Sequence, residues 1–233
     1  VSQLIDPQSL TPHRSIRSYV RRQGRQSAGK QKSFDEQFAR YGLDATQPLV
    51  VSQVFAATQP LVLEIGIGNG EALAHLAQAH PLLNFVGVDV HTPGIGYALR
   101  LLQAADLTNV RLFHADVMTV LEQALADHSL ARVLIWMPDP WPKKRHHKRR
   151  LIQLEFLTLL HQKLQAQGTV HFASDWAPYV EWVRALFNLH QDFQANSQAV
   201  DAAGPAFIRP ATRFGERGQR LGHELADLIY QVL

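Results

Sequence analysis

The stretch Leu61 to Gly70, LVLEIGIGNG, decides the fold. Five mostly apolar residues run into three glycines spaced two apart. Such a run, bounded by turn residues, reads as a buried strand. Glycines directly after it let the backbone turn sharply and approach a ligand closely. A nicotinamide-binding fingerprint, G-x-G-x-x-G, would carry its third glycine where Glu71 stands. This chain has G-x-G-x-G instead, with Glu64 inside the strand. A pyrophosphate wants helix-terminal N–H groups and no neighbouring anion, so Glu64 opposes it. A cofactor with a cationic amino group and no phosphate, such as S-adenosylmethionine, suits Glu64 better. The plainer reading is a tight strand-to-helix turn that holds no ligand.

Outward from this loop the pattern alternates. Strands are expected at 61–65, 84–90, 110–115, 132–137 and 168–174. Helices are expected at 34–41, 71–79, 94–105, 117–126, 149–165 and 176–189. Strand–helix alternation implies a parallel sheet covered on both faces. The segments FQANSQAV (193–200) and HELADLIYQVL (223–233) fit a closing antiparallel pair, although the second fits a helix equally well. One domain over 34–233 is expected, preceded by a flexible basic arm at 1–33.

Open parallel sheets bind ligands beyond the carboxyl ends of their strands. Glu64, Asp89, Asp116, Asp139 and Asp175 all stand at or near such ends. Asp89 follows Gly70 by 19 residues and is placed to take the two hydroxyls of a ribose. Asp116 suits an adenine amino group. Each aspartate alone is also a good helix N-cap. Five acids behind five successive strands describe a crevice lined with hydrogen-bond acceptors, suited to a ligand rich in donors. Asp139 lies in MPDPWP, where prolines at 138, 140 and 142 fix φ and stiffen the loop. Stiffness is what positioning catalysis needs.

Charge is distributed unevenly. Residues 7–34 carry seven arginines and lysines and no acid, and residues 143–150 carry six more. These segments hold 13 of the 23 basic residues, leaving 10 against 20 acids elsewhere. An acidic body with two concentrated basic segments suggests a polyanion-binding surface, against the plainer reading of solvated charge. The 233 residues include no cysteine, which excludes disulfides, thiolate catalysis and cysteine–zinc sites and fits a cytoplasmic protein. No signal peptide, membrane span or metal site is expected, and the length suffices for a monomer.

Six segments together resemble the tRNA (guanine-N7)-methyltransferase family: RSIRSYVRRQGR (14–25), LEIGIGNG (63–70), GVDVHTPGIG (87–96), MPDPWPKKRHHKRR (137–150), ASDWAPY (173–179) and TRFGERGQRLGHELADL (212–228). The resemblance implies a Rossmann-like class I methyltransferase fold, a mostly parallel seven-stranded sheet with an antiparallel closing strand. It implies transfer of a methyl group from S-adenosyl-L-methionine to N7 of guanine at position 46 in the variable loop of tRNA. Glu64, Gly66, Asp89, Asp116 and Asp139 would bind the cofactor, with Asp139 catalytic. Lys143, Asp175, Thr212, Arg213, Phe214, Gly215 and Glu216 would meet the substrate guanosine. One departure stands out. The family's motif is T-[KR]-[FY]-E, and here Gly215 takes the glutamate's place, with Glu216 one residue later. Two other readings are a methyltransferase acting on a different RNA or a small molecule, and a tRNA-binding paralogue without catalysis.

Overall fold

A computed structural model describes residues 28–205, 207–210 and 224–233. Its central sheet is built from β1 (Gly42–Leu43), β2 (Leu61–Ile65), β3 (Asn84–Asp89), β4 (Val110–His114), β5 (Leu130–Trp136), β6 (Leu164–Ser174), β7 (Phe193–Ala195) and β10 (Ala226–Val232). The two-residue strands β8 (Val200–Asp201) and β9 (Gly204–Pro205) form a separate small hairpin. The main sheet runs β1-β4-β3-β2-β5-β6-β10-β7. Pairings from β1 to β6 are parallel, whereas β10 is antiparallel to both β6 and β7. The expected mostly parallel sheet with an antiparallel closing strand is present, widened at one edge by β1. The C-terminal segment is the closing strand and not a helix. Its alternative is settled by partners on both sides, which satisfy a backbone that a helix would satisfy internally.

Strand residues alternate between two cores. Leu61, Leu63 and Ile65 face one core, which receives Val120 and Leu121 and the helices α6 (Leu154–Lys163) and α7 (Ala177–Leu189). Val62, Phe85, Leu112 and Leu134 face the other, under α3 (Glu71–Ala79) and α4 (Thr92–Ala104). The helices bury the stripes their spacing dictates: Ala72, Leu73, Leu76 and Ala77 in α3, and Ile95, Ala98, Leu99 and Leu102 in α4. By its place in the alternation Glu64 falls on the α3–α4 side, the side that Val62 faces.

A helix α1 (Ala28–Tyr41), longer than the expected 34–41, leads straight into β1. Phe34 meets His114, at the carboxyl end of β4, edge to face at 5.9 Å. The Tyr41 hydroxyl donates to the Leu102 carbonyl near the far end of α4. The chain therefore enters α1 on the carboxyl side of the sheet and descends. A four-residue helix, α2 (Val51–Val54), precedes β2. After β4, α5 (Val117–Thr119) continues as a π-helical turn through Val120–Ala124.

The expected helix over 149–165 is divided. Lys144–Arg149 forms a 3-10 turn, and α6 starts only at Leu154. The Ile152 N–H donates to the Tyr179 hydroxyl and its carbonyl accepts from Trp182 Nε1, so the intervening backbone is satisfied by α7. At the amino-terminal side of the sheet, β5 begins beside a buried ion pair. Arg132 donates from Nε and Nη2 to the two oxygens of Asp201, at 2.9 and 2.8 Å. The Gly204 carbonyl and Thr169 hydroxyl complete the network. Phe207 lies under the guanidinium at 4.1 Å.

Candidate active site

Register brings the acids to one edge. Glu64 pairs with Gly87, and Asp89, two residues farther along β3, pairs with His114. On the other side Ile65 pairs with Ile135, and Trp136 with Ala173. The strand ends carrying Glu64, Asp89, Asp116, Asp139 and Asp175 thus lie along the same, carboxyl side of the sheet.

Glu64 is 4% exposed, and its Oε2 is buried without a hydrogen-bond partner. Burial, and then the charge of Asp89, push its pKa up to about 8. A carboxyl group in this state gains strongly from an incoming cation. Above it, Gly66, Gly68 and Gly70 have φ of 78, 55 and 72°, the left-handed region. A Cβ on Gly66 or Gly68 would meet nothing within 4 Å, so the loop borders open space. Gly94 has the opposite reason to be glycine: a Cβ there would lie 2.3 Å from the Gly68 carbonyl oxygen. The start of α4 therefore presses against the glycine loop.

Asp89 joins these parts. Its Oδ2 accepts the Gly68 N–H and its Oδ1 the His91 N–H, both at 2.8 Å. Each oxygen keeps lone-pair capacity for a ligand hydroxyl. Asp116 is the N-cap of α5, with Oδ1 accepting from Met118 N–H at 3.0 Å. The capping role foreseen for such aspartates is real here, and it holds the carboxylate at the mouth of β4.

Asp139 is exposed at the tip of its loop. Met137 and Trp141, which bracket Pro138-Asp139-Pro140, have φ of 54 and 45°. Two bulky residues in the left-handed region mark stored strain of the sort found at functional sites. The Met137 N–H donates to the Ala173 carbonyl at 2.8 Å, which ties the loop to β6. Trp141 packs against the basic turn, with Arg149 over its ring at 5.1 Å and His146 edge-on at 5.9 Å.

The basic run divides by exposure. Lys143, Lys144, Arg145 and Lys148 are exposed, Arg149 is half-buried, and Arg150 is buried. The sequence places Arg150 with the polyanion clamp; the fold removes it, because it turns inward beneath α7. His147 is partly buried against Trp182 and is held below the ordinary histidine range by burial and by Arg150. Asp175, half-buried, directly follows β6. Thr212, Arg213, Phe214, Gly215 and Glu216 lie outside the described residues, as does most of the N-terminal basic arm. Two features escaped the sequence reading: the Gly94–Gly68 contact and the inward turn of Arg150. The apolar pair Leu151-Ile152 immediately after Arg150 was the one available signal for the second.

Among the described residues no group of three or more histidines and carboxylates is placed to hold a metal ion. No described helix is long and apolar enough to cross a membrane.

A family model described as "Putative methyltransferase" matches residues 58–228. A tRNA (guanine-N(7)-)-methyltransferase from Shewanella oneidensis is 43% identical over 219 residues, which cover 94% of this chain and 92% of that protein. The protein of the same description from Pseudomonas savastanoi is 40% identical over 221 residues, covering 94% and 91%. Among solved structures, an rRNA methylase from Streptococcus thermophilus matches with a TM-score of 0.51 at 15% identity, over 78% of this chain and 91% of that one. A likeness at that identity speaks to the fold alone.

Proposed function

Since the chain belongs to the tRNA (guanine-N7)-methyltransferase family, we propose that it methylates N7 of the guanine at position 46, in the variable loop of tRNA, with S-adenosylmethionine as methyl donor. The observation that carries the cofactor half is Glu64, a buried carboxyl with an unpartnered oxygen below an open glycine loop. It calls for a cationic group, and the loop leaves room for one. S-adenosylmethionine, when bound, supplies a methyl group on a positively charged sulfur.

The chain's own residues then divide the work. Glu64 takes the ammonium of the amino-acid moiety, Asp89 the ribose hydroxyls and Asp116 the adenine amino group. Guanine N7 carries a lone pair and no proton, so no residue has to strip a proton beforehand. Catalysis rests on alignment, which can supply about 7 kcal/mol or more. Asp139 orients the guanine or the methionine amino group, and its carboxylate stabilises the positive charge that develops on the base. Lys143, Asp175 and the Thr212–Glu216 segment face the guanosine. Lys144, Arg145 and Lys148 meet phosphates, which gives salt-dependent affinity without base identity. The entry of α1 beside the crevice supports a share for the basic arm in holding RNA there.

Methyl transfer from labelled cofactor to unmodified tRNA, followed by strand cleavage at 7-methylguanosine, tests this reading. Label at position 46 is expected, and Asp139→Ala abolishes it without loss of fold. No label in tRNA, with cofactor bound normally, overturns it. Gly215, standing where the family carries glutamate, motivates a second reading: a tRNA-binding protein without catalysis. That reading predicts tRNA retention and no label in the same experiment.

A further inference from the structure

We propose that Arg150 is a positioning residue that clamps the Asp139 loop from inside the protein and makes no contact with RNA; this rests on the reading of Asp139 as the residue that orients the reaction. Arg150 is only 3% exposed although five basic residues precede it within the run 143–149. Its Nε donates to the Pro140 carbonyl at 3.0 Å. Its guanidinium lies 4.9 Å from the Tyr179 ring centre and 5.3 Å from that of Trp182. Those two rings are themselves fixed to the backbone of Ile152, through the Tyr179 hydroxyl at 3.2 Å and Trp182 Nε1 at 3.0 Å. Gln153 closes the frame, donating from Nε2 to the carbonyls of His147 and Arg150, both at 3.1 Å.

The loop needs such a device for a reason written in its sequence. Pro138, Pro140 and Pro142 have no N–H, so the segment around Asp139 is poor in donors and must be held by its carbonyls. Strained backbone at Met137 and Trp141 persists only where the surroundings over-determine it. Arg150 supplies a buried donor to the carbonyl of the residue next to Asp139. The electron-rich ring faces of Tyr179 and Trp182 offset the loss of water around the charge. A planar guanidinium fits between rings while donating in its own plane, which a lysine ammonium does not do.

The experiment compares Arg150→Lys and Arg150→Ala with Lys144→Gln, an exposed member of the same basic run. A displacement of about 1 Å at the reacting centre costs about 100-fold in rate. Both Arg150 variants should therefore lose about 100-fold in kcat, with tRNA affinity and its salt slope unchanged. Lys144→Gln should weaken tRNA binding and reduce its salt slope, as loss of a phosphate contact does. Methylguanidinium should restore kcat to Arg150→Ala, and methylammonium should not. Amide hydrogen exchange at Asp139, Trp141 and Lys143 should quicken in the Arg150 variants, with β5 amides unchanged. Normal kcat with reduced tRNA affinity in Arg150→Lys overturns the proposal, as does unaltered exchange in the loop. If the alanine variant fails to fold, the lysine variant decides by the same measurements. The exchange readout does not require turnover. A wild-type protein that transfers no methyl group to tRNA would defeat the proposed function and still leave Arg150 testable.

Discussion

Replacing Glu64 by glutamine isolates the most perturbed group of the crevice. In the folded, ligand-free protein its pKa stands at about 8 against an ordinary 4.5. Between those values the folded state holds a proton that the unfolded state has lost. Stability therefore falls as pH rises through this window, and the full penalty is present above pH 8. At about 1.4 kcal/mol per pKa unit, the penalty reaches about 5 kcal/mol well above pH 8. At pH 5 it is about 1 kcal/mol, because the unfolded state has only begun to gain from losing its proton. Glutamine mimics the protonated form in shape and does not titrate. Urea unfolding of both proteins without cofactor, from pH 5 to 9, should show the variant gaining about 4 kcal/mol on the wild type across the range. Groups that titrate in both proteins and do not interact with Glu64 cancel in the difference. A difference that stays flat with pH refutes the reasoning, because Glu64 would then be ionised and solvated like an ordinary carboxylate. With S-adenosylmethionine present, wild-type affinity should rise about tenfold per pH unit from 5.5 to 7, where the ligand ammonium is charged and Glu64 must give up its proton to meet it. The glutamine variant should bind weakly with no such slope.

Three further outcomes are expected. Asp201→Ala leaves Arg132 buried without its partner and should cost about 3–5 kcal/mol in denaturant unfolding, with kcat per folded molecule unchanged. Gly94→Ala drives a methyl group against the Gly68 carbonyl, so isothermal titration should show cofactor affinity lowered at least about tenfold alongside a stability loss of about 1–3 kcal/mol. Lys144→Gln should reduce the slope of log affinity for tRNA against log salt by about 0.7–0.9, measured by filter binding.

The division between sequence and structure is clearest in WMPDPWPKKRHHKRR (136–150). The sequence marks a strand end, a stiff loop presenting Asp139 and a basic run, and the structure has each of them. It does not tell which basic residue turns inward. Exposure is decided by what packs above, and Tyr179 and Trp182 come from α7, more than 25 residues later. The same holds for Arg132, whose partner Asp201 is 69 residues away. Local pattern has no access to either contact.

Short apolar runs bounded by turn residues, alternating with helical segments, placed most of the sheet and its helices, because a strand covered on both faces is apolar along its whole length. Glycines and acids behind the strands placed the crevice, because backbone turns and acceptor groups have few chemical substitutes. Those features the sequence determined by itself. Tertiary structure alone decided the burial and raised pKa of Glu64, the pressing of Gly94 against the glycine loop and the inward turn of Arg150. Each depends on desolvation and close contact between segments distant in the chain, and such contacts exist only once the layers have packed.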